Sequence, residues 1–174
     1  MPRVTRILDT VGSRRIAVAT LTAITGVYYT FVAFTNCVDT DTNRRGVAAV
    51  LSMRGTIHHA GVDWRAITDS TVVWVAYVLI VVWEWLIALV LLAATVGWVR
   101  AFAGRSARQA AKLSGLGWTM AILLFAGGFL TVGGEWFRMW ANKEVNATAA
   151  ALQNFLVASV GLILLHMPER AKWF

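Results

Sequence analysis

The chain has 174 residues, 58% of them hydrophobic, with a mean hydropathy of +0.63 and a formal net charge of +7. Such apolarity exceeds that of an ordinary soluble domain, and it excludes nucleic acid as the partner of the positive charge, because helices this hydrophobic leave no soluble face for a duplex. The single cysteine, Cys37, excludes an internal disulfide.

Four long apolar runs hold almost no charge. A helix needs about 20 mostly apolar residues to cross a bilayer core. The expectation is therefore an all-α, polytopic membrane protein: one domain over residues 1–174, built as a four-transmembrane-helix bundle. The spans are expected at about 16–35, 71–99, 115–140 and 147–167, joined by a long outer loop (36–70) and a cytoplasmic loop (100–114).

In chain order, the first run is expected to stay as a helix. It is long for a signal segment, no A-x-A site follows it, and Thr35 and Asn36 do not make a lipoprotein signal of Cys37. The outer loop opens on a turn-rich stretch, Asn36–Asn43. Its apolar middle, Gly46–Met53, is too short to span and reads as a short interfacial helix that lies on the membrane surface or caps the bundle. Ser70 is the expected N-cap of helix two. The 100–114 connection carries Arg100, Arg105, Arg108 and Lys112 and no acid, which suits anionic lipids at the cytoplasmic face. Helix three holds two glycine pairs, Gly127-Gly128 and Gly133-Gly134, which permit close helix approach or a kink. Helix four ends before Pro168.

Charge sets the orientation. Ten basic residues fall in the N-terminal tail (Arg3, Arg6, Arg14, Arg15), the 100–114 connection and the C-terminal tail (Arg170, Lys172), against Asp9 and Glu169 alone. The other side has Arg44, Arg45, Arg54, Arg65, Arg138 and Lys143, matched by six acids. Because cytoplasmic loops carry the Lys/Arg excess, both termini are expected in the cytoplasm, the host membrane being a bacterial inner membrane. Trp74, Trp136 and Trp140 are expected in the outer aromatic belt and Trp98, Trp118 and Trp173 in the inner one. Trp83 and Trp85 fit neither.

Glu84, between those two tryptophans, is the sharpest chemical signal. A charge at the bilayer centre costs at least roughly 2.5–3.5 kcal/mol, so the side chain should face the bundle or a partner. No Lys or Arg lies in the central part of any span. Glu84 then either stays protonated or bonds to a polar group at similar depth: Thr25, Tyr28, Tyr29, Gln153, Asn154 or Ser159. Tyr29 and Asn154 head that set. The open readings are an interhelical clasp, a proton or cation site, and a contact to another subunit. At the outer face, Glu135 can reach Arg138 if helix three continues, and Arg65 is its other candidate partner. His58, His59 and His166 do not have the placement for an intramembrane haem, and a surface metal site from His58, His59 and the loop aspartates stays open without a recognisable ligand spacing. Neither a cofactor nor a metal is expected, and no catalytic motif argues for an enzyme.

Asn36 with Asp39, the segments Val50–Met53 and Trp64–Thr68, the pair Trp83-Glu84, and the segment Val132–Trp140 together resemble the DUF2165 family, predicted small integral membrane proteins of bacteria. The resemblance runs from helix one to helix four. Arg54 and Thr40 stand where members often carry Asp and Tyr. It implies four membrane helices and no particular activity. It also groups Trp64 and Arg65 with Glu135 and Trp136, with the expectation that Arg65 and Glu135 pin the outer loop to the bundle. The functional expectation is an accessory or structural subunit among the other membrane protein subunits of a larger assembly, for instance a respiratory one. The alternative is a small transporter or channel that uses Glu84 as its proton or ion site.

Overall fold

The computed structural model describes residues 12–168. The sequence readings on Arg3, Arg6, Asp9, Glu169, Arg170, Lys172 and Trp173 lie outside the described residues. Helix α1 spans Arg14–Val38, α2 Thr40–Leu51, α3 Ser70–Phe102, α4 Arg108–Ile122 and α5 Thr148–His166, with 3-10 turns at Asp63–Arg65 and Met139–Ala141. The described residues are helix and connection, without a strand. From α4 the chain runs on without a break into a π-helical stretch, Leu123–Trp136, so that one 29-residue span covers Arg108–Trp136. Among the described residues, four helices are long and apolar enough to cross a membrane.

Side by side, α1 packs on α3, α3 on α4, α4 and the π stretch on α5, and α5 closes the ring against α1. The start of α1 and the residue after α5 meet, where the Arg14 guanidinium donates to the Met167 carbonyl. They share one end of the bundle with the 103–107 turn, here the turn end. The 39–69 and 137–147 connections form the loop end.

Close approach is a property of small residues. A Cβ on Gly26 would sit 3.3 Å from the Leu91 backbone, so α1 can touch α3 main chain to main chain there. Hydroxyls hold the turn-end half of the bundle together. Trp98 Nε1 donates to Ser114 Oγ at 3.0 Å, and the Ser114 and Thr22 hydroxyls lie 3.0 Å apart. Trp118 Nε1 donates to Thr25 Oγ1 at 3.2 Å. Trp98 and Trp118 are therefore core residues, both buried, and not members of an interfacial belt. Each indole N–H finds a bundle hydroxyl in place of water. Trp74, Trp136 and Trp140 are about half exposed.

Several boundaries differ from the sequence expectation, for local reasons. The third span begins at Arg108, because Arg108, Gln109, Ala110, Ala111 and Lys112 are good helix formers and propagate the helix down to the turn. It ends at Trp136 and not near 140, because Arg138 takes the left-handed conformation (φ 56°), which no helix continues through. The cap of α3 is Asp69, not Ser70: its carboxylate accepts from the N–H groups of Thr71 (2.7 Å) and Val72 (3.1 Å). In the long connection, α2 follows α1 across the single residue Asp39 and lies along α3. Arg44 on α2 pairs with Asp41 at 3.8 Å and stacks over Trp74 of α3 at 5.1 Å.

Candidate functional site

The last four carbonyls of a helix have no intrahelical partner. At the end of α1, Thr35 O accepts from Asp39 N, and Cys37 O accepts from the Thr40 hydroxyl. The Asn36 carbonyl is taken by the phenol of Tyr77 on α3. That bond holds the Asn36 main chain against α3, and the Asn36 side-chain amide donates to Glu84 Oε2 at 2.5 Å. Glu84 is 3% exposed, and its Oε1 has no hydrogen bond among the described residues. Glu84 is thus answered by Asn36. None of the groups expected at its depth (Thr25, Tyr28, Tyr29, Gln153, Asn154, Ser159) bonds to it. Tyr29 and Asn154 pair with each other: the Tyr29 phenol donates to Asn154 Oδ1 at 3.0 Å, and Asn154 Nδ2 donates to the Ala150 carbonyl and to the Tyr28 hydroxyl.

The flanking indoles have separate tasks. Trp83 Nε1 donates to the Met120 carbonyl at 3.0 Å, just before the helix widens into the π pattern and the carbonyls change partners. Trp85 Nε1 points to Cys37 Sγ at 3.4 Å. Neither indole contacts Glu84 by a hydrogen bond.

Glu84 borders a cavity of about 530 Å³. Its walls are α2 (Val47, Val50, Leu51), the loop-end half of α3 (Ile80, Val81), and the π stretch with its exit (Phe129, Val132, Phe137). Asn36, Thr42, Asn43 and Tyr77 are the polar wall residues besides Glu84, and no Lys, Arg or His reaches the lining. A concave, mostly apolar space with a few convergent polar groups is the usual form of a small-molecule site, and its size is within the roughly 300–1,000 Å³ such sites occupy. The chemistry available here is recognition: an acidic oxygen inside an apolar chamber, held in place by an amide.

The loop-end residues expected to pin the connection fall into two groups. Arg65 stacks over Trp136 (4.5 Å) and Trp64 (5.8 Å), the two indoles meet edge-on at 5.8 Å, and Arg65 Nη1 approaches the Trp136 carbonyl at 3.5 Å. Arg138 Nη1 donates to the Ile57 carbonyl at 2.8 Å. Glu135 is exposed and is in no ion pair among the described residues, with Arg65 or with Arg138. It only lines the same shallow concavity as Arg65 and Trp136. The pairing expectation is therefore corrected. Arg138 leaves the helical path, and Arg65 prefers the indole faces to the carboxylate.

A residue absent from that expectation ties the loop down. Asn142, almost fully buried, donates to the carbonyls of Ala49 (3.2 Å) and Arg54 (2.9 Å) and accepts from the N–H groups of Glu144 (2.8 Å) and Val145 (3.1 Å). Beside it, Lys143 N donates to the carbonyl of Gly55, whose φ of +80° suits glycine. At the turn end, Arg100, Arg105, Arg108 and Lys112 are all exposed. His58 approaches Asp63 at 3.5 Å, and no cluster of three or more metal-ligating side chains occurs among the described residues.

No curated protein and no solved structure matches this chain. The family profile described as predicted small integral membrane protein (DUF2165) matches residues 14–168, essentially all that the structure describes. That match, together with four membrane-length helices, places the chain in the DUF2165 family of predicted small integral membrane proteins.

Proposed function

We propose that this protein binds a small hydrophobic molecule in the Glu84 cavity and works as a small membrane carrier or transporter, with Glu84 as its polar anchor. The observation that carries the reading is the pairing of one buried carboxyl with a sizeable apolar chamber that has no cation of its own. A purely structural clasp would need the Asn36 contact but not the space beside it. The test uses the full chain in lipid nanodiscs and the uncharged dye Nile red. Saturable binding is expected above that of empty discs. Gly128→Leu should remove it, since a Cβ at Gly128 meets only Leu124 Cδ1, at 3.8 Å, and a larger side chain there extends into the chamber. Binding that survives this filling would defeat the reading.

A second reading, an accessory subunit of a larger membrane assembly, is favoured by Gln153. Its carboxamide lies on the exposed face of α5 with no hydrogen bond among the described residues. Amides on membrane helices gain from a partner helix. Native-membrane copurification that Gln153→Leu abolishes would favour it, and a monomer in mild detergent indifferent to that change would count against it.

The setting we infer is the bacterial cytoplasmic membrane, with the turn end and both termini in the cytoplasm. The support is the basic excess at that end, where Arg100, Arg105, Arg108 and Lys112 would meet anionic headgroups.

A further inference from the structure

We infer that the occupant of the cavity is a lipophilic cation: an apolar body carrying an ammonium or phosphonium head, with the free oxygen of Glu84 as its counter-charge. The inference rests on the cavity-binding reading above and narrows it to one ligand class.

Three observations carry it. First, charge complementarity is one-sided. Glu84 is the lone ionisable carboxyl of the lining, and neither Lys, Arg nor His balances it, so an anionic head would meet an acid with no compensation. Secondly, Glu84 is only half satisfied. Asn36 occupies Oε2, Oε1 has no donor among the described residues, and Glu84 lines the chamber. A carboxylate in a membrane is tolerated when a cation pairs with it, and a ligand that brings its own positive charge supplies what the chain lacks. Thirdly, the aromatic residues Tyr77, Phe129 and Phe137 line the same space. Ring faces attract a poorly hydrated cation, with the gain largest where water is absent. The Tyr77 O–H is already donated to the Asn36 carbonyl, so it gives the ligand no further donor. The remaining lining is aliphatic, which suits the organic body of such an ion and not a bare hydrated metal cation.

The experiment compares three probes of one shape and different charge: tetraphenylphosphonium, neutral tetraphenylsilane and tetraphenylborate. Each is titrated against the full chain in zwitterionic nanodiscs, with empty discs subtracted. The expected result is saturable phosphonium binding at least tenfold tighter than the silane, with no specific borate binding. Glu84→Gln, which keeps shape and hydrogen bonding, should weaken the phosphonium at least tenfold more than it weakens the silane. Gly128→Leu should remove both. If the silane and the phosphonium bind alike and neither responds to Glu84→Gln, the cation assignment is overturned while the cavity reading stands. If borate binds best, the charge argument is wrong. If no probe binds specifically, both readings fall.

Discussion

Gly161 of α5 lies directly against the indole of Trp118 on α4: a Cβ added at Gly161 would come within 2.6 Å of the Trp118 Cδ2 and Cε2 atoms. The indole cannot retreat, because it is fully buried and its Nε1 is held by Thr25 Oγ1 on α1. Gly161→Ala should therefore destabilise the bundle by about 1–3 kcal/mol, the usual cost of overpacking a tight site. Thermal unfolding in mild detergent reads this as a lowered melting temperature. An unchanged melting point would mean that α5 is free to move away.

Asn142 makes four hydrogen bonds to main-chain groups on both sides of the loop end. Truncation to alanine strips all four and strands buried amides and carbonyls, at about 1–3 kcal/mol for each group left unsatisfied. The damage should be local. Hydrogen exchange followed by mass spectrometry should accelerate in 49–57 and 142–147, while α1, α3 and α4 keep their protection. Uniform acceleration over the whole chain would show that the latch and the bundle unfold together.

Asp69 gives the loop end a pH dependence of known sign. The N–H groups of Val72 and Thr71 hold its carboxyl below the ordinary Asp range. A depressed native value means that the cap's contribution is present above the unfolded value, about 3.9, and is lost as pH falls through the native one. The first turn of α3 should fray only in strong acid. The amide shifts of Thr71 and Val72, followed by NMR between neutrality and low pH, should report it. Asp69→Asn, which retains a capping oxygen, should abolish the titration. A titration that persists in that variant would assign it to another group.

Orientation is open to a cysteine test, because Cys37 is the chain's one thiol. In a Cys37→Ser background, Asp41→Cys at the loop end should react with a membrane-impermeant maleimide in intact bacterial spheroplasts. Ala103→Cys in the turn should react only after lysis. The reverse pattern would invert the topology inferred from the basic residues.

The four spans could be read from the sequence because a run of apolar residues is itself the physical requirement for crossing lipid. The partner of Glu84 could not be read so directly. With the first helix taken to end at Thr35, Asn36 belonged to a loop; in the structure α1 runs to Val38 and carries Asn36 against α3. The signal is present as an amide three residues before an Asp that ends the helix. Trp98 and Trp118 misled for a related reason. Position along a helix gives depth, but only packing tells whether an indole finds its acceptor in the interface or in Ser114 and Thr25. Asn142 was hidden because its partners, Ala49 and Arg54, are distant in sequence and offer only carbonyls, which every residue has. The Glu135 expectation failed at one backbone angle, the positive φ of Arg138, which local spacing does not reveal.

Helix α3 has 33 residues and α5 has 19. At a rise of about 1.5 Å per residue these are roughly 50 Å and 28 Å, set against about 30 Å of hydrocarbon. One flat bilayer cannot match both with each upright. Either α3 leans, or its ends reach into the headgroup layer, or the lipid beside it stretches, while α5 is matched without any of these. The two span lengths differ around one bundle, and the acyl-chain length of the host membrane becomes a variable that acts on the wall of the Glu84 chamber through α3.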